Sequence, residues 1–180
     1  MHTDKERILI VDDEAAFCSV LKDALDEQGY NCSIALDSKM ALSKLRDEDF
    51  QLVLLDINLP DQSGMELLKE LRAMHGSVSV IMVTAKNEIE AAVHAVKLGA
   101  YDYIVKPFDL ERIYLSIRGA LSEREDLQRI NWQRTTNIQD PDSIVKDKIR
   151  AEMDAIEYGV KARQDWLTNY TQTIVERVLK

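Results

Sequence analysis

Five polar residues of this sequence stand at the carboxyl ends of short apolar runs. Asp12 and Asp13 close Arg7-Ile8-Leu9-Ile10-Val11. Asp56 closes Leu52-Val53-Leu54-Leu55, Thr84 closes Val78 to Val83, and Lys106 closes Tyr101 to Val105. Any one of them alone reads as an ordinary loop residue, because loops favour Asp and Thr. Four runs that all deliver such residues at the same end are a different matter. In open α/β sheets ligands bind outside the carboxyl ends of the strands, so residues far apart in sequence would share one cleft. Three carboxylates crowded there repel one another, and a divalent cation offsets the repulsion. Mg²⁺ is the fit, a hard ion held by one or two carboxylates, waters and phosphate oxygens. Asp56 would then offer a carboxylate oxygen to a phosphorus centre and form an acyl phosphate. The Lys106 ammonium and the Thr84 hydroxyl would receive the phosphoryl oxygens. Little else is required, since phosphoryl transfer is catalysed mainly by positioning and electrostatics.

The elements that must position these residues can be read from the hydrophobic pattern. Continuous apolar runs of four to six residues suit strands buried on both faces, as in a parallel sheet. A fifth and weaker run is Cys32 to Leu36. Between the runs lie segments with helical spacing: Phe17, Val20, Leu21, Ala24 and Leu25; Met40, Ala41 and Leu45; Leu67, Leu68 and Leu71; Ile89, Ala92, Val93 and Val96. The order strand–helix repeated five times predicts an α/β domain, an open doubly wound sheet with helices on both faces. The fifth helix is expected to start near Asp109, to keep its spacing through Leu110, Ile113, Ile117 and Leu121, and to run to about Arg134. Thr135 to Asp140 reads as a polar break, and Asp140-Pro141 as a helix start. Residues 142–178 form a further helical stretch. There Met153, Val160, Leu167 and Ile174 recur every seven residues, beside a neighbouring set Ile149, Ile156 and Tyr170 that Arg163 and Arg177 interrupt, and Gly159 weakens the helix.

The stretches Ile8-Leu9-Ile10-Val11-Asp12-Asp13-Glu14, Leu54-Leu55-Asp56-Ile57-Asn58-Leu59-Pro60-Asp61, Ser63-Gly64-Met65-Glu66, Val83-Thr84-Ala85 and Gly99-Ala100-Tyr101-Asp102-Tyr103-Ile104-Val105-Lys106-Pro107-Phe108 carry a resemblance. Residues 5–121 resemble the receiver domain of two-component response regulators. The resemblance implies a flavodoxin-like (βα)5 sheet of strand order 2-1-3-4-5. It implies phosphoryl transfer from a sensor histidine kinase to Asp56, with Mg²⁺ held by Asp12, Asp13, Asp56 and the backbone carbonyl of Asn58. It implies a cis Lys106–Pro107 bond, a geometry almost confined to X–Pro. Thr84 is expected to move toward the phosphoryl group and Tyr103 to turn inward behind it, biasing the face of the fourth helix, fifth strand and fifth helix. Asn58 and Lys86 flank the site at positions that tune phosphoryl lifetime. Such a domain promotes only its own phosphorylation and dephosphorylation, so no turnover enzyme is implied.

The totals bound the remaining classes. The 180 residues carry a net charge of −9. Of this, −8 lies in residues 1–121 and −1 in residues 122–180, so the acidity belongs to the first part. That balance argues against nucleic acid as a partner of this chain. No apolar run reaches the ~18 to 20 residues that span a bilayer. The polar start, Met1 to Arg7, lacks the order of a secretory signal, and a cytoplasmic setting is expected. Cys18 and Cys32 form no metal-spaced cluster and read as reduced thiols near a core. His2, His75 and His94 are isolated and read as surface residues. The expected organisation is a receiver domain over 5–121, a linker over 122–140 and a helical extension over 141–180 that reads as a coiled-coil or dimerisation segment, with a homodimer expected through the fifth-helix face or this C-terminal helix. Two alternatives stand beside a self-contained switch: a DNA-binding transcription regulator, and a piece of a longer protein with an ATPase-type output.

Overall fold

The structure, a computed structural model, describes residues 5–74 and 77–136, with side chains as far as Arg129. Five strands and five helices alternate. They are β1 (Arg7–Val11), α1 (Ala15–Glu27), β2 (Asn31–Ala35), α2 (Ser38–Asp47), β3 (Leu52–Leu55), α3 (Gly64–Met74), β4 (Ser79–Thr84), α4 (Ile89–Lys97), β5 (Asp102–Val105) and α5 (Leu110–Thr136). All strand pairs are parallel and the sheet order is β2-β1-β3-β4-β5. The chain divides into two compact units, Met1–Ser122 and Glu123–Lys180. The described part of the second is the last portion of α5. The seven-residue seam, the Asp140-Pro141 helix start, His2 and His75 lie outside the described residues.

The apolar runs are most continuous in β1, β3 and β4, which bury both faces, and the pleat sorts alternate residues between two cores. Leu9, Val11, Val53, Leu55, Val80, Met82 and Tyr103 pack with α2, α3 and α4. Their neighbours Ile8, Ile10, Leu52, Leu54, Ile81, Val83 and Ile104 pack with α1 and α5. Four residues expected in helix stripes are exposed instead: Val20, Met40, Ile89 and Leu110. Val20 and Met40 stand one position, about 100° of helix, away from the buried sets Cys18, Leu21 and Leu25 and Ser38, Ala41 and Leu45. Ile89 and Leu110 are the first residues of their helices, ahead of the turn that meets the sheet. Both cysteines are buried and free. Burial, then the negative charge of Asp12 for Cys18 and of Asp26 for Cys32, pushes each thiol up to about 12, so neither is a nucleophile at neutral pH.

The register aligns the strand exits. Val11 pairs with Leu55, and Thr84 with Val105. Backbone bonds continue the ladder one residue further: the Asp56 N–H donates to the Val11 carbonyl at 2.9 Å, and the Lys106 N–H to the Thr84 carbonyl at 2.8 Å. The residues that end the runs are thereby fixed by the sheet itself. The loop after Asp56 is tied down separately. Asp61 accepts hydrogen bonds from the Ser38 N–H (3.0 Å), the Ser38 hydroxyl (2.6 Å) and the Lys39 N–H (3.2 Å). Those bonds cap α2 from across the domain and hold the Asp61 carboxyl at about 2, well below the usual carboxylate range.

Candidate functional site

The carboxyl edge of the sheet gathers four of the chemical residues into one cluster. Asp12 and Asp56 are buried, Asp13 is exposed, and one carboxylate oxygen from each lies within 4.8 Å of the others. The donors are hard oxygens, the set that suits Mg²⁺ and no soft transition metal. Lys106, reaching over from the end of β5, supplies the counter-charge. Its Nζ is 2.5 Å from Asp12 Oδ2, 3.3 Å from Glu14 Oε1 and 3.7 Å from Asp56 Oδ2.

Burial and pairing pull against each other in this cluster. Burial pushes the Asp12 carboxyl above its ordinary range, and the Lys106 hydrogen bond and Glu14 N–H only partly oppose it. Burial also favours a neutral Lys106. The Asp12 hydrogen bond and the charges of Asp12 and Asp56 outweigh that effect and hold the ammonium charged above its ordinary range. A fixed cation thus stands beside the Asp56 carboxylate, at the place where a phosphoryl oxygen would need one.

The backbone carbonyl of Asp56 is approached closely by Gly64, whose N–H donates to Ile57 O at 2.7 Å. A Cβ at residue 64 would overlap the Asp56 carbonyl oxygen and lie 2.9 Å from the Asp56 carbonyl carbon and from Ile57 Cα. Glycine is therefore required where α3 turns away from the site. The Asn58 N–H donates to Asp56 Oδ1 at 3.3 Å. The Lys106–Pro107 bond is cis, as the resemblance implies.

Thr84 and Tyr103 are engaged through the next loop. Thr84 is fully buried, and its Oγ1 accepts the Lys86 N–H at 3.3 Å. Tyr103 is 2% exposed, and its hydroxyl donates to the Lys86 carbonyl at 2.6 Å. The expectation was a ring that turns inward once a phosphoryl group is present; in this structure the ring is inward already. Its backbone is held from the other side. The Tyr103 N–H donates to Asp102 Oδ1 at 2.7 Å, and Asp102 Oδ2 accepts Arg112 Nη2 (2.6 Å) and the Ser116 hydroxyl (2.7 Å). Sequence reasoning missed this buried network. The signal was an aspartate inside the apolar run Tyr101–Val105, facing Arg112 and Ser116 four apart on the following helix. It also gave no site role to Glu14 and Phe17, which the structure places against Lys106.

A family model for the response regulator receiver domain matches residues 8–118. The chain belongs to that family. The receiver is 35% identical over 127 residues to the transcriptional regulatory protein ZraR of Escherichia coli strain K12, a match that takes in 71% of this chain and 29% of ZraR. It is 34% identical over 177 residues to the uncharacterized transcriptional regulatory protein YkoG of Bacillus subtilis strain 168, covering 92% of this chain and 77% of that protein. Among solved structures, a response regulator receiver domain protein (CheY-like) from Methanospirillum hungatei JF-1 superposes with a TM-score of 0.65 at 37% identity. It covers 68% of this chain and 98% of that one. The receiver chain thus spans less than a third of ZraR. Among the described residues no helix is long and apolar enough to cross a membrane.

Proposed function

We propose that this receiver takes a phosphoryl group on Asp56 from a phosphohistidine of a sensor kinase. An Asp56 carboxylate oxygen attacks phosphorus, the P–N bond breaks as the P–O bond forms, and the electron pair returns to the imidazole. The observation that carries the reading is the convergence of the Asp12, Asp13 and Asp56 oxygens within 4.8 Å, with Lys106 Nζ 3.7 Å from Asp56 Oδ2. Asp12, Asp13, Asp56 and the Asn58 carbonyl would hold Mg²⁺, which supplies charge neutralisation at the transferring group. Lys106 receives a phosphoryl oxygen, and the Thr84 hydroxyl donates to another. Thr84 and Tyr103, both already bonded to the 86 loop, carry the change to the face of α4, β5 and α5. The chain acts as a switch in the cytoplasm and not as a turnover enzyme, its domain running over 5–121 and the residues beyond forming linker and dimer segment.

Incubation of the full chain with a small acyl-phosphate donor and Mg²⁺ is expected to add one hydroxylamine-labile phosphoryl group, found by mass spectrometry on the peptide holding Asp56. Light scattering on the same sample should show self-association. Label on another residue would defeat the assignment, and an unchanged solution mass would defeat the dimer. A second reading, control of transcription by this chain, is favoured by the descriptions of ZraR and YkoG, the latter matched over 92% of the chain. It predicts duplex DNA binding by the phosphorylated chain that weakens steeply as salt rises. Affinity that is absent or indifferent to salt counts against it.

A further inference from the structure

Lys106 has a fourth neighbour that the phosphoryl chemistry does not account for. Its Nζ lies 3.9 Å from the centroid of the Phe17 ring. Phe17 stands in the first turns of α1. It is itself met edge-on by Phe108, with centroids 6.1 Å apart and ring planes at 86°. Both rings are partly buried against the core shared by α1 and α5. The second ring fixes the first from the side, since an edge-to-face pair has a preferred geometry. Phe108 is also two residues past Lys106 in sequence, so one turn of chain carries the cation and the brace of its aromatic partner.

The ammonium is therefore drawn in three directions. Asp12 and Asp56 pull it into the site, and their side chains are 2% and 6% exposed. Glu14, 66% exposed, pulls it outward toward solvent. The Phe17 face attracts it through the negative quadrupole of the ring. A lysine head on a flexible four-carbon stem has no fixed aim of its own. The ring is the neutral neighbour that can attract the cation without competing for the phosphoryl group or the metal.

We propose that Phe17 is a positioning residue of the phosphoryl acceptor, its ring face holding the Lys106 ammonium over Asp12 and Asp56 and away from Glu14 and solvent. The inference rests on the reading in which Lys106 receives a phosphoryl oxygen on Asp56. It differs from simple core filling, which a leucine would satisfy.

The test uses the full chain with Phe17→Tyr and Phe17→Leu. In metal-free buffer the Lys106 Hε protons of the native chain and of Phe17→Tyr should be shifted upfield by the ring current in a proton–carbon NMR spectrum. In Phe17→Leu the shift should disappear. With Mg²⁺ and a small acyl-phosphate donor, Phe17→Leu should label about three- to tenfold more slowly, the scale of a partly desolvated cation–π contact, while Phe17→Tyr stays near the native rate. Lys106 Hε protons at their unshifted position in the native chain would overturn the proposal. So would a native labelling rate in Phe17→Leu, or equal slowing in both variants, which marks a packing role. If the native chain takes no label at all, the acceptor reading fails, and the ring-current comparison still decides whether Phe17 holds Lys106.

Discussion

An Asp56→Asn chain is expected to take up no phosphoryl group and, in metal-free buffer, to be more stable than the native protein. The first effect is the loss of the nucleophilic carboxylate. The second comes from the charges around it. At an effective dielectric of about 20, two carboxylates with oxygens within 4.8 Å of Asp56 would each repel it by about 3.5 kcal/mol at that limit, and Lys106 at 3.7 Å attracts it by about 4.5 kcal/mol. The repulsion wins by about 2.5 kcal/mol. Solvent around the exposed Asp13 screens part of it, leaving about 1 to 2 kcal/mol gained by the variant. Asparagine keeps the Oδ1 that accepts the Asn58 N–H, so shape and that bond are preserved. Mg²⁺ should reverse the ranking, because a cation that binds only the folded native site adds stability in proportion to its occupancy. Thermal melts with and without Mg²⁺ check this. A variant less stable than native in chelator would show that Lys106 attraction dominates the cluster.

Gly64→Ala is expected to cost about 3 kcal/mol of stability, at the upper end of what overpacking costs. The new methyl would overlap the Asp56 carbonyl oxygen, and its other neighbours at 2.9 Å are also backbone, the Asp56 carbonyl carbon and Ile57 Cα. Backbone cannot rotate aside, so either α3 or the end of β3 must move. Labelling of Asp56 should slow along with the loss of stability. Gly119→Ala is the control. Its added methyl meets the hydroxyl end of the Tyr101 side chain, which can swing away, and alanine favours the helix by about 1 kcal/mol over glycine. That substitution should be close to neutral in a urea titration. Equal losses at 64 and 119 would show that backbone crowding at Asp56 is not the cause.

What the sequence disclosed and what it hid follow one division. β1 and β3 were legible because burial on both faces leaves no polar residue between Ile8 and Val11 or between Leu52 and Leu55, so Val11–Asp12 and Leu55–Asp56 mark the exits themselves. The site was legible for the same reason, and the parallel order put every exit on one edge. Interactions that depend on loop paths were not. Asp61 reaches Ser38 across 23 positions, and nothing in either local pattern announces the pairing. Phe17 reads as one more apolar position in a helical stripe; only the approach of Lys106 from the end of β5 gives its face a purpose. Helix stripes were overdrawn by one residue at Val20 and Met40, because an apolar side chain beside a stripe has the same composition signal as one within it. The inward Tyr103 ring is fixed by the Lys86 carbonyl 17 positions away, an acceptor that nothing in the tyrosine's own stretch of sequence announces.

The Lys106–Asp12 contact joins positions 94 apart in the chain, and the strand before Lys106, β5, pairs with β4 alone among the described strands. During synthesis the acidic residues therefore leave the ribosome long before the cation that answers them. A nascent chain that has reached α4 already carries all three carboxylates and still lacks the lysine that pairs with them. Domains fold largely as units while the chain is being made, and here the unit closes electrically only when its last strand arrives. A chain cut short anywhere before residue 106 is left without the lysine that stands beside Asp56.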